Sequence, residues 1–334
     1  MNCTEDKLYD SSAFTSTYFV VIYSLLFIIG LPENIAACFY LLYNTANKGL
    51  TEVKIYMINL TLADLMFIVF LPFWVDYYNN GRNWRFTTLA CGFLGSLFYI
   101  NTYSTLCFLT LISFTRYLAV SRPLKTAQSK QVVRGIIVTA VIWTGTVGSS
   151  INTLITSSNH TNRRTNNKIS CFEHYCSKDE SVRIGLLAIH SIMVLTFAAL
   201  FGVVIANYIL ILRKLLIEKV ALRLPQGKLK KRASRMVLMV LVIYILCFLP
   251  YHLTQLPWVL LVLNFWKSDN FSFRKGFNDL HHVTLGLMSM NCVLDPIVYC
   301  FLTEDFKQYL SELMGCLRNI CVLKNRQKSQ TMHS

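Results

Sequence analysis

The stretch LISFTRYLAV, residues 111–120, places Arg116 at the end of a strongly apolar run with no acidic residue beside it. An unpaired guanidinium at the end of a membrane-grade segment is costly unless it meets water, a partner or a ligand. Arg116 is therefore a candidate functional residue, and its role has to be sought in the segments around it.

The composition of the 334-residue chain indicates a membrane protein: 54% of the residues are hydrophobic and 15% are charged. A soluble domain carries roughly 25% charged residues. Seven apolar runs are long enough to cross about 30 Å of hydrocarbon as helices. They cover residues 17–43, 54–79, 88–121, 133–157, 184–216, 230–264 and 277–302.

These runs predict an all-α membrane protein, a seven-transmembrane helix bundle plus a short amphipathic C-terminal helix. The first run is too long for a cleaved signal core, so we interpret it as a span. The expected organisation is an extracellular tail at residues 1–16, the bundle at 17–302, and a cytoplasmic amphipathic helix and tail at 303–334.

The charge distribution predicts the orientation of the bundle. The chain has 32 Lys and Arg against 17 Asp and Glu, a net charge of +15. Roughly two thirds of the basic residues fall in the loops after the first, third and fifth runs, in the ends of the runs next to those loops and in the C-terminal tail, which the positive-inside rule assigns to the cytoplasm. Because this charge is divided among short loops, nucleic-acid binding is disfavoured, and a cytosolic partner or anionic membrane lipids fit better.

Modification signals agree with that orientation. Sequons at Asn2, Asn159 and Asn270 fall on the expected extracellular side and predict glycosylation there. In the tail, Cys316 follows the amphipathic stretch TEDFKQYLSELMG, which is typical of a membrane-surface helix that ends at a palmitoylated cysteine.

Four cysteines share the expected extracellular side, the oxidising one. Cys91 opens the third run and Cys171 lies in the long loop before the fifth, so a bridge between them would pin that loop over the bundle. A Cys3–Cys176 pair is a weaker second expectation, and free thiols are the alternative.

Few polar residues interrupt the apolar runs, and each is a candidate switch residue because polar groups are costly in a membrane. Near mid-depth lie Asn34, Asp64, Asn101, Thr105, Asn291 and Asp295. Their oxygens would suit either a monovalent cation such as sodium or a hydrogen-bonded network without an ion. Pro250 and Pro296 break the sixth and seventh runs, where segments can swing.

Together these features resemble the rhodopsin-like G-protein-coupled receptors over nearly the whole chain. The family's motifs occur in the family order: Asn34, LADL with Asp64, Trp84, Cys91, the TRY triplet around Arg116, Trp143, Tyr208, FLP with Pro250, and DPIVY with Tyr299. The resemblance implies a multi-pass plasma-membrane receptor that is not an enzyme and promotes nucleotide exchange on a heterotrimeric G protein of Gq or Gi type. Arrestin and receptor kinases are implied as further partners.

The same resemblance gives Arg116 a role, since the arginine of the third helix in this family is held at rest and faces the G protein on activation. Thr115 replaces the usual preceding acid, so we expect basal activity, or a resting lock from a hydroxyl and neighbouring groups. Phe248 stands at the usual toggle tryptophan, Leu200 at the fifth-helix proline and Glu33 at a common glycine. Phe before LP and DP in the seventh helix are frequent in the nucleotide and lipid-mediator branch.

Residues expected to couple to the G protein lie on the cytoplasmic side. Pro123 and Leu124 would form an apolar knob after the third run, and KLKKRASRMV at 228–237 would extend the sixth as a basic docking end or as a solvated stripe. The full set is Arg116, Pro123, Leu124, Tyr208, Lys231, Arg232 and Tyr299.

Aromatic and histidine side chains are concentrated in the extracellular half and predict the ligand site. The candidate contacts are Tyr23, Trp74, Tyr77, Phe98, Tyr99, Phe172, His190, Tyr251, His252, Gln255, Trp258, His281 and His282. Phe98 stands where amine receptors carry aspartate, and Gln255 replaces the cation that a nucleotide receptor would use for polyphosphate.

Apolar walls, aromatic faces and histidines suit a lipid tail, a quaternary ammonium and one phosphate, although such aromatics also serve as packing. The stretches INTYS, CFEHY, HLTQLPW and NDLHHVTL resemble lipid-mediator receptors and imply a phosphocholine ether lipid or a related phospholipid.

Other functions remain open at this point. A nucleotide or peptide receptor of the same fold is the first alternative, with the basic stretch NRRTNNK at 162–168 as a site for an acidic peptide. A transporter is remote because the seven runs contain no repeat. No cofactor is expected beyond an allosteric sodium ion, and no other metal, since the histidines lack a metal-binding spacing.

Overall fold

The computed structural model describes residues 13–121, 130–160, 164–165, 168–171, 179–217, 225–266, 270–302 and 315. Several predicted sites lie outside the described residues: Asn2, Cys3, Pro123, Leu124, Phe172, Cys176, Cys316 and the C-terminal amphipathic helix. The side chains of Asn159 and Tyr299 lie outside them as well.

Long helices form almost all of the described chain. They are α1 (Ala13–Lys48), α2 (Glu52–Ile68), α3 (Leu71–Asn79), α4 (Thr88–Ser121), α5 (Gln131–His160), α6 (Glu180–Ile217), α7 (Pro225–Ile243), α8 (Leu249–Val262), α9 (Phe271–Ser289) and α10 (Asn291–Leu302). Two short strands, β1 (Arg164–Thr165) and β2 (Lys168–Ile169), pair antiparallel between α5 and α6.

Six helical segments within the described ranges are long and apolar enough to cross a membrane. They correspond to the first six predicted runs, and the bounds of α4 coincide with those of the third. The seventh run is divided at Met290 into α9 and α10, and α9 opens with the polar stretch FSFRKGFNDLHH, which lowers its hydropathy. Helices continue through all seven predicted runs.

Breaks occur where proline removes a backbone donor. The second run bends at Val69–Phe70, because Pro72 lies in the first turn of α3. In the sixth, Pro250 follows a π-helical turn, Tyr244–Phe248, in which the Leu249 amide donates to the Tyr244 carbonyl five residues earlier. Such a turn changes the direction of the side chains on either side of it.

Helix α4 lies at the centre and packs against α2, α5, α6 and α7. One end of the bundle carries the disulfide between Cys91 and Cys171, and we call it the disulfide end. The opposite end contains Arg116 and is called the Arg116 end. These two ends and the polar core between them are the places where function can be sought.

Candidate ligand-binding site and switch

A pinned loop covers part of the disulfide end. The predicted Cys91–Cys171 bridge is confirmed. Ile169 of β2 accepts a hydrogen bond from the Trp84 amide at 2.8 Å, and its own amide donates to Asn83 Oδ1 at 3.1 Å. The Cys171 amide donates to the Tyr77 hydroxyl at 3.3 Å. The loop is therefore held by hydrogen bonds as well as by the disulfide.

Five predicted ligand residues from α6, α8 and α9 meet beneath this end, and we call them the histidine cluster: His190, His252, Gln255, Trp258 and His281. The Trp258 ring stacks on His281 with centroids 4.2 Å apart and lies 6.4 Å from His190. All five side chains are buried. The cluster thus brings imidazole, indole and amide groups into one enclosed space.

Two polar atoms of the histidine cluster have no hydrogen-bond partner among the described residues, namely His252 Nε2 and Gln255 Oε1. The two residues are three apart on α8 and share one face of the helix. Buried polar atoms are nearly always paired, and an unpaired one costs about 1–3 kcal/mol. Such a pair of atoms is the expected sign of a site that receives a polar ligand group.

Predicted ligand residues also occur in a second group near α1 and α3. This aromatic cluster consists of Phe19, Tyr23, Trp74, Tyr77, Tyr78 and Trp84. Phe19 stacks on Tyr78 with centroids 4.6 Å apart, and Trp74 contacts Tyr77 and Trp84, both at 5.9 Å. Its rings pack against one another, as in a hydrophobic core.

The remaining predicted contacts join or flank these clusters. His282 lies between them, 5.9 Å from Phe19 and 6.5 Å from Trp258 by ring centroids. Tyr251 stands beside His281 at 5.1 Å. On α4, Phe98 and Tyr99 pack edge to face at 5.6 Å. The described members of the sequence-predicted set therefore lie in or beside two clusters of different chemistry.

A polar core lies below the clusters, as the sequence predicts. Asn101 donates to Asp64 Oδ1 at 2.9 Å, and Asn34 donates to the Cys292 carbonyl at 2.7 Å. Other buried oxygens in this core have no hydrogen-bond partner among the described residues: Asn34 Oδ1, Asp64 Oδ2, Thr105 Oγ1, Asn291 Oδ1 and both Asp295 oxygens. This all-oxygen set fits a monovalent cation or ordered water.

Between the histidine cluster and the Arg116 end, stacked rings connect α6 to the π-helical turn. Phe197 stacks on His252 with centroids 4.0 Å apart and lies 6.1 Å from Tyr244. The buried Tyr244 hydroxyl donates to the Leu106 carbonyl of α4 at 2.6 Å. Phe248, the predicted switch residue, is fully buried beside Tyr244 at 5.6 Å.

Arg116 has a partner that the sequence analysis did not identify. Its Nε donates to the sulfur of Met236 on α7 at 3.0 Å. The Thr115 hydroxyl donates to the Ile112 carbonyl of its own helix at 2.9 Å, so it is the neighbouring Met236 rather than Thr115 that contacts Arg116. Among the other coupling candidates, Tyr208 and Arg232 are half-buried and Lys231 is exposed.

The sequence did not single out Phe197, Met193 or Met236. Phe197 stacks on His252, Met193 contacts Gln255, and Met236 accepts a hydrogen bond from Arg116. These side chains look like ordinary apolar helix residues, and only their distance from the polar groups reveals a role. Helical spacing alone places Phe197 and His190 on one face of α6, because they are seven residues apart.

Residues 33–299 match the family model described as 7 transmembrane receptor (rhodopsin family), and the chain belongs to this family of G-protein-coupled receptors. It is 40% identical over 319 residues to the human platelet-activating factor receptor, covering 94% of this chain and 90% of that one. The cattle platelet-activating factor receptor is 40% identical over 312 residues, with 92% and 88% covered. Cattle G-protein coupled receptor 68 is 34% identical over 322 residues, with 95% and 82% covered.

Membership confirms the predicted class: a non-enzymatic, multi-pass receptor of the plasma membrane. It leaves the ligand and the role of each site residue to be argued from the geometry.

Proposed function

We propose that this receptor senses an extracellular phosphocholine ether lipid, platelet-activating factor or a related phospholipid, and promotes nucleotide exchange on a heterotrimeric G protein. The observation that carries the proposal is that two buried polar atoms next to aromatic rings, His252 Nε2 and Gln255 Oε1, have no hydrogen-bond partner among the described residues. Relatives named for platelet-activating factor over almost the full chain support the same ligand class.

Aromatic faces in the histidine cluster suit a quaternary ammonium, which is attracted to ring faces within about 6 Å. The polar face of α8 would meet the phosphate, while exposed and half-buried apolar residues of the bundle would accompany the alkyl tail. We place the disulfide end outside the cell, with the N-terminus, and the Arg116 end and the C-terminus inside. Glycosylation at Asn270 fits this placement: Asn270 caps α9 through Oδ1, while a glycan would occupy Nδ2.

The primary test is G-protein activation in cells that express the chain. The panel comprises the acetylated ether lipid, its deacetylated form, other lysophospholipids and nucleotides over a concentration series. A response at nanomolar concentration confined to the acetylated ether lipid supports the proposal. A response to nucleotide or to an acidic peptide, with silence for the lipids, would reassign the ligand, and ligand-driven solute flux would indicate a transporter.

At the Arg116 end, we propose that the G protein meets Arg116 once α7 has moved away. The Met236 sulfur is an uncharged, weak acceptor, so its bond to the Arg116 guanidinium is weaker than a salt bridge; the resting state is then held loosely and basal exchange is expected. Gq or Gi type proteins, arrestin and receptor kinases are the proposed partners. The polar core around Asp64 and Asp295 would favour the resting arrangement when it holds sodium.

Arg116→Ala should abolish nucleotide exchange while surface expression and lipid binding stay near those of the wild type. Met236→Leu is the matched control, because it keeps Arg116 and similar volume but removes the sulfur acceptor; it should raise basal exchange. Intact signalling in Arg116→Ala would end the proposed role, and unchanged basal exchange in Met236→Leu would show that another contact holds the resting state.

A further inference from the structure

The hydrogen positions on His252 are fixed by its own helix. His252 Nδ1 lies 2.8 Å from the Phe248 carbonyl oxygen four residues earlier. A carbonyl can only accept, so Nδ1 must carry the hydrogen. In the neutral imidazole the lone pair then resides on Nε2, which makes that buried atom an acceptor.

The side-chain amide of Gln255 also leaves an acceptor atom unpaired. Its amide nitrogen contacts the sulfur of Met193 at 3.7 Å, which leaves Oε1 as the atom without a partner. The two unpaired atoms on the polar face of α8 are therefore both acceptors. His190 and His282 follow the same local rule, with Nδ1 at 3.1 Å from the Leu186 carbonyl and 2.7 Å from the Asn278 carbonyl.

A phosphodiester is itself only an acceptor, so it cannot hydrogen-bond to either of these two atoms as they stand. If Nε2 takes up a proton, His252 becomes a cationic donor, and a charge-assisted bond to the phosphate can form. The phosphate and the choline of the ligand keep their charges over the physiological range, so the receptor must supply the titrating group.

The surroundings of His252 contain no built-in counter-ion. The rings in contact with it are Phe197 of α6, Tyr103 of α4 and Tyr251 of its own helix. The other histidines of the clusters are His190, His281 and His282, and no acidic side chain in the described ranges is hydrogen-bonded to His252. The phosphate would be the charge that balances the imidazolium.

We propose that a phosphocholine lipid binds together with one proton, which His252 Nε2 takes from the solution at the disulfide end. The inference rests on the proposed function and adds a pH dependence to it. The proton leaves a hydronium ion of the solution and forms an N–H bond at Nε2, which donates to a phosphate oxygen; when the lipid dissociates, that N–H bond breaks and the proton returns to water.

The test uses the full-length purified receptor and platelet-activating factor as the probe. The dissociation constant should rise by up to about tenfold per pH unit between about pH 6 and about pH 8, the slope expected when one proton is bound with the ligand. Calorimetry in buffers of different ionisation enthalpy should report the uptake of about one proton per lipid.

His252→Gln is the informative variant, since glutamine keeps a polar side chain but does not titrate; its slope should vanish. Asp76→Asn is the control, because Asp76 is a titratable group of α3 at the disulfide end that pairs with Arg85 outside the histidine cluster, and its loss should leave the slope unchanged. Tight lipid binding with neither pH slope nor proton uptake in the wild type overturns this inference and leaves the proposed function standing.

A slope that persists in His252→Gln also overturns the inference, because the proton would then bind elsewhere. Absence of lipid binding at every pH instead contradicts the proposed function itself. The two failures are therefore distinguishable in one experiment.

Discussion

The aromatic cluster and the histidine cluster lie at the same end of the bundle and are built from similar residues, yet they differ in whether their polar atoms are hydrogen-bonded. In and around the aromatic cluster, Arg82 donates to Thr15 at 2.6 Å and lies over the Tyr78 ring, and the Trp84 indole donates to the Thr87 carbonyl at 2.9 Å. In the histidine cluster, His252 Nε2 and Gln255 Oε1 have no such partner within the described residues.

This difference separates packing from binding. A cluster whose polar atoms are already hydrogen-bonded gains no hydrogen bond from a ligand. A cluster with unpaired buried polar atoms recovers the desolvation free energy of those atoms when a ligand pairs with them. We therefore expect substitutions in the aromatic cluster to change stability and those in the histidine cluster to change affinity.

The largest effect is expected at Phe19, which is fully buried between Tyr23 and Tyr78. Phe19→Ala should lower the free energy of unfolding of the receptor by about 3 kcal/mol. This is the lower end of the range for truncating a buried phenylalanine, because in a membrane lipid replaces part of the lost apolar contact. Thermal melting of the purified receptor and its surface expression measure this. Lipid affinity per folded receptor should stay unchanged, and a selective loss of affinity would place the ligand in the aromatic cluster.

His252→Ala and His281→Ala should weaken a phospholipid agonist by about 10- to 100-fold, the range for a hydrogen bond to a charged group. Concentration–response curves for exchange, normalised to surface expression, measure the shift. Ser191→Ala on α6 is a nearby control in which potency should hold, because the Ser191 hydroxyl donates to the Leu187 carbonyl of its own helix. If neither histidine variant alters potency, the polar group of the ligand binds elsewhere.

Gln255→Leu tests the comparison further, because it should raise the stability of the receptor and lower its affinity for the lipid. Replacing an unpaired buried amide by an apolar side chain of similar size should stabilise the resting receptor by about 1–2 kcal/mol. Lipid affinity should fall about tenfold, since the acceptor is lost. A drop in melting temperature together with unchanged affinity would mark Gln255 as a packing residue.

The smallest effect is expected for Tyr77→Phe, which removes the hydroxyl that accepts from the Cys171 amide at 3.3 Å. The Cys91–Cys171 bridge and the Trp84 and Asn83 bonds to Ile169 remain, so about 0.5–1 kcal/mol should be lost. Thermal melting detects this, and ligand potency is the control readout. A large shift in potency would show that the hydroxyl contacts the lipid.

Much of the fold was predictable because a membrane imposes simple rules. Apolar runs of sufficient length had to be helices, and the third run coincides with α4 at both ends. The breaks were harder to locate: Pro250 correctly indicated one in the sixth segment, the break beside Pro72 in the second was not predicted, and the break in the seventh lies at Met290, six residues before the predicted Pro296. The π-helical turn at Tyr244–Phe248 is a backbone adjustment that no composition signal encodes.

The residue types alone were enough to predict the aromatic rings and histidines as candidate site residues, since polar groups are scarce in apolar spans. They did not divide the candidates into two clusters, because that division depends on which helices face each other. The hydroxyl of Thr115 illustrates the limit: a bond within its own helix satisfies it, and a methionine 120 positions away holds Arg116 instead.

The sequence by itself therefore determined a seven-span receptor of the rhodopsin family, its polar core and the arginine at one end, because hydrophobic length and ordered motifs are local properties of the chain. Only the tertiary structure decided which polar atoms are paired. Pairing depends on distances between atoms on different helices, and it is the unpaired acceptors of α8 that distinguish a binding site from a packed core.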